Sequence, residues 1–338
     1  MSYDGGARVQ DITPAAWKRV DEDVRANAVA LIALGDGRHV LASGGDDGTA
    51  HVWNTHGGQI VRSVHGHSEW VLSVALTVLM GGAVLLATGG KDGLASVWGA
   101  RTGTAMQTLT GHGRAVNSVA WAGPSGRSAP WLVTGGDDAT VRVWDAETGA
   151  AEHVFSVGTP SVDLVTSVAA AVSPAGEVHL VAASDDSDVT TVHIWNATTG
   201  TKAHTLPLAR GGLGLVMPSV AAVALPDGSL RVAAISGAAL HIWDGRTGRM
   251  VRTLSAADGA GGDVALAWVP DGRVFVAASR GEETRIWDAD TGVLHATLGH
   301  GGGYTCSVDM VALSDGTLLL AIARDGDTPA RLWHVDLS

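Results

Sequence analysis

Seven of the twelve tryptophans close a short β-prone run and follow an aliphatic residue. They are Trp53 (AHVWN), Trp98 (ASVWG), Trp144 (VRVWD), Trp195 (VHIWN), Trp243 (LHIWD), Trp287 (TRIWD) and Trp333 (ARLWH). Successive spacings are 45, 46, 51, 48, 44 and 46 residues. A period of that size means an array of like units, none able to bury its apolar faces alone.

Each unit reads as four short strands separated by turn residues. After the tryptophan comes an Asp- or Asn-initiated turn ending in Gly, as in Asp145–Gly149, Asn196–Gly200, Asp244–Gly248 and Asp288–Gly292. The acid or amide bonds its own backbone ahead, and Gly takes positive φ. A strand follows (MVRTL, 250–254), then a loop and a small-residue strand (NSVAW, 117–121). A further strand (WLVTGG, 131–136) leads back to the tryptophan. Four strands of this kind make one antiparallel blade. The expected fold is all-β: a single seven-bladed β-propeller of four-stranded antiparallel blades.

These residues resemble the WD-repeat family over roughly residues 26–338. The closest units are LASGGDDGTAHVWN (41–54) and LVTGGDDATVRVWD (132–145), and the family's Gly-His pair is matched at Gly66-His67, Gly111-His112 and Gly299-His300. The resemblance implies a structural network of His, Ser/Thr, Asp and Trp in each blade. Blade two carries His67, Thr88, Asp92 and Trp98; blade three carries His112, Thr134, Asp138 and Trp144. Blade one keeps Ser43, Asp47 and Trp53 but has Arg25 where the His belongs. Blade seven has His300 and Trp333, with Asp325 or Asp327, and Ala323 is read at the hydroxyl position. Blades four to six lack the His, and blade five also lacks the Asp, so these blades are expected to be less tightly tied. The His-Ser/Thr-Asp set resembles a nucleophile triad, but it recurs blade by blade, whereas function sits in one site grafted on a fold.

Residues 1–25 are expected to belong to the propeller. The chain stops just after the third strand of the last unit, and Arg8–Ile12 is available as its fourth, closing the ring and removing an edge. Thr13 to Val24 reads as a short helix, with Pro14 at its first position and Trp17, Val20 and Val24 on one face.

The function classes narrow from there. The chain is 46% hydrophobic and 17% charged, compatible with a large core. Its 46 glycines suit a fold of many turns. Net charge is −12 and the 22 basic residues form no run, which disfavours nucleic acid. Ser73–Gly90 is apolar for about the length of a membrane span. Gly81-Gly82 divides it into two strand-length runs, so no membrane partner is expected. The single Cys306 and the absence of a signal-like N-terminus fit a cytoplasmic protein, expected to be a monomer. Arg outnumbers Lys by 19 to 3, a coding bias that hints at a bacterial source.

No HExxH, Walker lysine loop, GxSxG elbow or CxxC pair occurs, so no catalytic role, cofactor or metal is expected. His65-Gly-His67 is the tightest histidine pair, but His67 belongs to the blade network. Asp185–Asp188 and Asp325–Asp327 lack the spacing of a dedicated calcium loop. Asp309 is unusual, standing where Ala75 and Ala120 occur in other blades. It is expected either to be met by a backbone donor or to line a polar pocket.

The resemblance implies a protein or peptide partner docking on the face of the Gly-His loops. The candidate residues are Asp46, Lys91 and Asp137 before the turn acids, and Trp70, Asn117 and Tyr304 at the inner strands, with Arg114 beside them. Trp70 and Tyr304 stand out because equivalents read as small (Ala28, Ala115, Ala260), and aromatic anchors are what hot spots use. The alternative function is a small-molecule or glycan site, catalytic or not, at the channel mouth near Asp309.

Overall fold

A computed structural model describes residues 2–4, 7–14, 26–123, 129–160, 162–186, 189–208, 217–256, 262–299, 305–324 and 330–337. These form seven antiparallel sheets, six of them built from consecutive strands. Blade one runs from Ala26 to His65, blade two from Val71 to Leu109 and blade three from Val116 to Ser156. Blade four runs from Leu164 to Leu208, blade five from Ser219 to Ser255 and blade six from Asp263 to Gly299. No helix occurs among the described residues, and none there is long and apolar enough to cross a membrane.

Blade seven is assembled from both ends of the chain. Its first three strands are Thr305–Ala312, Leu318–Arg324 and Arg331–Asp336, and the fourth is Ala7–Asp11, with Val9 opposite Val335 and Asp11 opposite Trp333. The N-terminal strand thus closes the ring. A fifth strand, Ser2–Asp4, pairs outside it and was not foreseen. Of the helix expected over Thr13 to Val24, Thr13 and Pro14 are described and are not helical, and the rest lies outside the described residues.

Each blade buries both faces against its neighbours, so its second strand has no wet side. Val84–Gly90, Val274–Arg280 and Leu318–Arg324 are buried at every position, which is why they read as unbroken apolar runs rather than alternating ones. The membrane-like stretch is therefore the first two strands of blade two. Their turn uses Gly81 and Gly82 at φ of 108° and 83°, a region that side-chain-bearing residues avoid. Close packing also explains Gly135: a Cβ there would come within 2.4 Å of Val165 Cγ1 on the next blade.

The core is a series of wedges between blades. One wedge holds Leu85, Val97, Val119, Leu132 and Trp144, from blades two and three. Ala7 and Val9 enter another, with Phe275, Leu318 and Val335. Replacing Val9 by Asp would put an unpaired carboxylate into that wedge and loosen the closing strand. The expected outcome is a loss of about 3 kcal/mol of stability in denaturant unfolding.

Candidate functional site

In blades two and three the network residues form one directed chain. Trp98 Nε1 donates to Thr88 Oγ1 (3.1 Å), and His67 Nε2 lies 2.8 Å from that hydroxyl. His67 Nδ1 faces Asp92 Oδ1 at 3.0 Å. Because the carboxylate only accepts, Nδ1 carries the proton, and Nε2 accepts from the threonine hydroxyl. Blade three repeats this with Trp144 to Thr134 (2.9 Å), Thr134 with His112 (2.7 Å) and His112 with Asp138 (3.0 Å). Burial pushes the Asp92 carboxyl upward, but the bonds from His67, the Leu94 N–H and the Ser68 N–H outweigh it and hold it below its ordinary value.

Blade one keeps the Trp53-to-Ser43 bond, at 2.9 Å, with Asp47 accepting from the Thr49 N–H, and Arg25 lies outside the described residues. In blade seven the strand register corrects the sequence reading. Val308 stands opposite Ile322, as Val74 does opposite Thr88 and Val119 opposite Thr134. Ile322 occupies the hydroxyl position, and Ala323 is the counterpart of Gly89. The same register puts Ala182, Ala234 and Ala278 there in blades four to six. The hydroxyl is thus absent throughout blades four to seven. The tryptophans of these blades keep their indole N–H but not this hydroxyl as its acceptor. Blade four finds another arrangement: Ser184 bonds His193 Nε2 at 2.9 Å, and burial holds His193 down to about 4, hence neutral.

The mouth of the channel is built by a device the sequence reading missed. In blades one, two, three, four and seven the first strand carries a register shift near its start, skipping Asn27, Leu72, Asn117, Thr166 and Cys306. Such bulges re-aim a side chain, and all five line a mouth pocket of about 330 Å³. Asn27 Nδ2 donates to Val71 O (3.2 Å), Asn117 Nδ2 to Val165 O (2.9 Å) and Thr166 Oγ1 to Pro218 O (2.7 Å), each reaching the following blade.

Beneath the mouth lies a second belt. Ser73, Ser118 and Ser167 accept the N–H groups of Val119, Val168 and Val220 at 3.0–3.1 Å, each from the next blade. The signal was present in the recurring Ser-Val-Ala of residues 73–75, 118–120, 167–169 and 219–221. In blade six the serine is replaced by Asp263, which accepts from Ser219 Oγ and, at 2.8 Å, from the Val308 N–H. One step down, six alanines (30, 75, 120, 169, 221 and 265) share a register position with Asp309.

Asp309 meets both sequence expectations at once. Its Oδ2 accepts the Leu31 N–H across the closing seam at 2.7 Å, and Oδ1 accepts the Met310 N–H at 2.8 Å. It also lines the lumen. Enclosure by the ring pushes its carboxyl up to about 7, with nearby Asp263 adding to the rise. Among the described residues no group of three or more His, Cys, Asp and Glu could hold a metal.

The candidate docking residues separate into two sets. Trp70 is 47% exposed at the lip of the mouth, with Lys91 Nζ 4.7 Å from its ring centre and 3.9 Å from Glu69. Arg114 is exposed as well. Asn117 and Asp137 bond each other at 2.5 Å, and both they and Asp46 are half-buried. Tyr304, His300, Asp325 and Asp327 lie outside the described residues. The Lys91 and Asp137 N–H groups donate to Trp70 O and Ala115 O, so Ala115 is the true counterpart of Trp70. Ala28, opposite Gly44, instead matches Ser73. Met217, at the mouth, is 51% exposed and was missed because no repeat position marks it.

Seven radial sheets around a lumen lined by their first strands define a β-propeller. Residues 26–54, 58–99, 103–145 and 248–288 match the family model "WD domain, G-beta repeat". With its seven blades, the chain is consistent with the WD-repeat β-propeller family. Three of the four matches take the outer strand of one blade with three strands of the next, the interlock that the N-terminal strand completes. Propellers of this family are generally non-catalytic scaffolds that bind protein partners. No curated protein matches the chain.

Two outcomes test this assignment of roles. Thr134→Val orphans the Trp144 N–H and the His112 acceptor and should cost about 2–4 kcal/mol in chemical denaturation. Asp309→Asn keeps an acceptor for Leu31 while removing the charge. Because the folded carboxyl sits near 7 and the free one near 3.8, its stability contribution is lost as pH rises through 7. The variant should therefore gain stability over wild type progressively from pH 4 to pH 8, measured by thermal melts; a pH-independent difference would refute this.

Proposed function

We propose that this propeller is a non-enzymatic scaffold that docks a protein or peptide on the face carrying the channel mouth, with Trp70 as the central anchor. The observation that carries this reading is the pose of Trp70. A large indole stands half exposed, fixed by a cation–π contact with Lys91, beside a pocket of about 330 Å³. Pre-positioned aromatics next to a pocket are favourable hot spots, because little side-chain freedom is lost on binding.

The polar side chains of the mouth support the same reading by elimination. Asn27, Asn117 and Thr166 already bond the neighbouring blades. The side chains that the mouth leaves accessible are Trp70, Leu72, Met217 and Cys306, so an apolar partner residue suits the mouth, with Lys91 and Arg114 contributing at its rim. The second reading, a small molecule or glycan near Asp309, has weaker support, since both oxygens of that carboxylate accept backbone N–H groups. The single cysteine supports a reducing, cytoplasmic setting.

The test is affinity capture from the native cell with wild-type and Trp70→Ala protein. An exposed substitution should change stability by no more than about 0.5 kcal/mol, while the specifically captured partner should disappear. Equal capture by a folded Trp70→Ala variant would exclude this site.

A further inference from the structure

The face opposite the mouth carries a cleft between blades one and two. It has a volume of about 230 Å³, and its apolar wall is formed by Leu34, Val40, Val52, Val61, Val84 and Ala100. Trp53, fully buried, closes its inner side. Val61 is 41% exposed at the opening, and Met80, on the neighbouring hairpin turn, is 90% exposed.

Cationic groups flank this opening. Arg38 and Arg101 both line the cleft. The Arg38 guanidinium is met by Asp36 at 2.6 Å. Arg101 is exposed, and Arg62 Nε donates to its carbonyl at 2.9 Å, bringing a third guanidinium alongside. Neither Arg62 nor Arg101 forms an ion pair among the described residues. A chain of net charge −12 thus places two uncompensated cations beside an open apolar slot.

The geometry points to this cleft as a binding site for a compact amphipathic carboxylate, its apolar tail between the two blades and its anionic head on Arg101. The volume exceeds the roughly 150 Å³ apolar cavity that accommodates benzene, so it takes a tail on the order of eight carbons. Arginine presents two parallel donors to a carboxylate, which gives the head its orientation. The complementarity of charge sets the class: a cationic head on the same tail would meet Arg62 and Arg101 as like charges.

The test is an amide NMR titration of the whole protein with octanoate and, separately, with octylammonium, both below their micellar range. Octanoate should shift the amides of Val40, Val61, Val84 and Ala100 and saturate, while octylammonium binds at least tenfold more weakly. Arg101→Ala should weaken octanoate about tenfold, the effect of losing one charge-assisted pair. Val61→Asp, at an exposed position, should abolish saturation without unfolding the chain. Unsaturable or scattered octanoate shifts, equal binding of octylammonium, or unchanged binding by Arg101→Ala would each overturn the proposal. The site is independent of the mouth, so Trp70→Ala should bind octanoate as wild type does.

Discussion

The first strand of each blade is paired on one edge only; its other edge faces the lumen. Backbone N–H groups on that edge need acceptors, since an unmet buried donor costs as much as a lost hydrogen bond. The chain meets them by passing acceptors from blade to blade. Ser73, Ser118 and Ser167 each cap a valine N–H of the following blade, and Asp263 does the same for Val308. At the closing seam the acceptor is Asp309, one register step lower, reaching Leu31. Small residues in this belt let seven strands converge, and the hydroxyls make each blade's position depend on the one before it.

The carboxylates appear where the other ties are weakest. Blades four to seven lack the hydroxyl that joins Trp and His in blades two and three. Asp263 and Asp309 bind blades five, six, seven and one across three successive seams. A carboxylate accepts more bonds than a hydroxyl but is held inside the ring, where burial disfavours its charge. The raised Asp309 carboxyl is the energetic consequence of using an acid as a structural acceptor. Oddity at a repeat position therefore marks a mechanical role here, and a carboxylate among alanines is not in itself a catalytic signal.

The blades themselves were plain in the sequence because the tryptophan period and the turn residues are local, and each repeat restates them. The networks of blades two and three were legible for the same reason. What escaped was set by register. Whether Ala323 or Ile322 faces the tryptophan depends on counting from Trp333 across a strand pair, and a one-residue slip reverses the side chain's face. The inner-strand bulges were hidden too: Asn27 and Thr166 look like any strand residues until the skipped pairing turns them into the mouth. Met217 belongs to no repeat position, so periodicity could not find it, and the fifth strand of blade seven precedes the repeats altogether.

Rigidity and the proposed docking site coincide in one place. Trp70 stands three residues after His67, and that short loop is pinned at both ends. Asp92 accepts from the His67 ring and from the Ser68 N–H, and the Lys91 N–H donates to Trp70 O. The same acid caps the Leu94 N–H in the tight turn that carries Lys91. One buried His–Asp pair thus fixes the backbone under both members of the Trp70–Lys91 contact. An exposed indole on a mobile loop would lose its ordering entropy on binding; here that ordering is already part of the fold. The same network in blade three pins a loop that carries Ala115 in place of Trp70, so the network sets the loop's backbone and the side chain at that position sets what the loop presents to solvent.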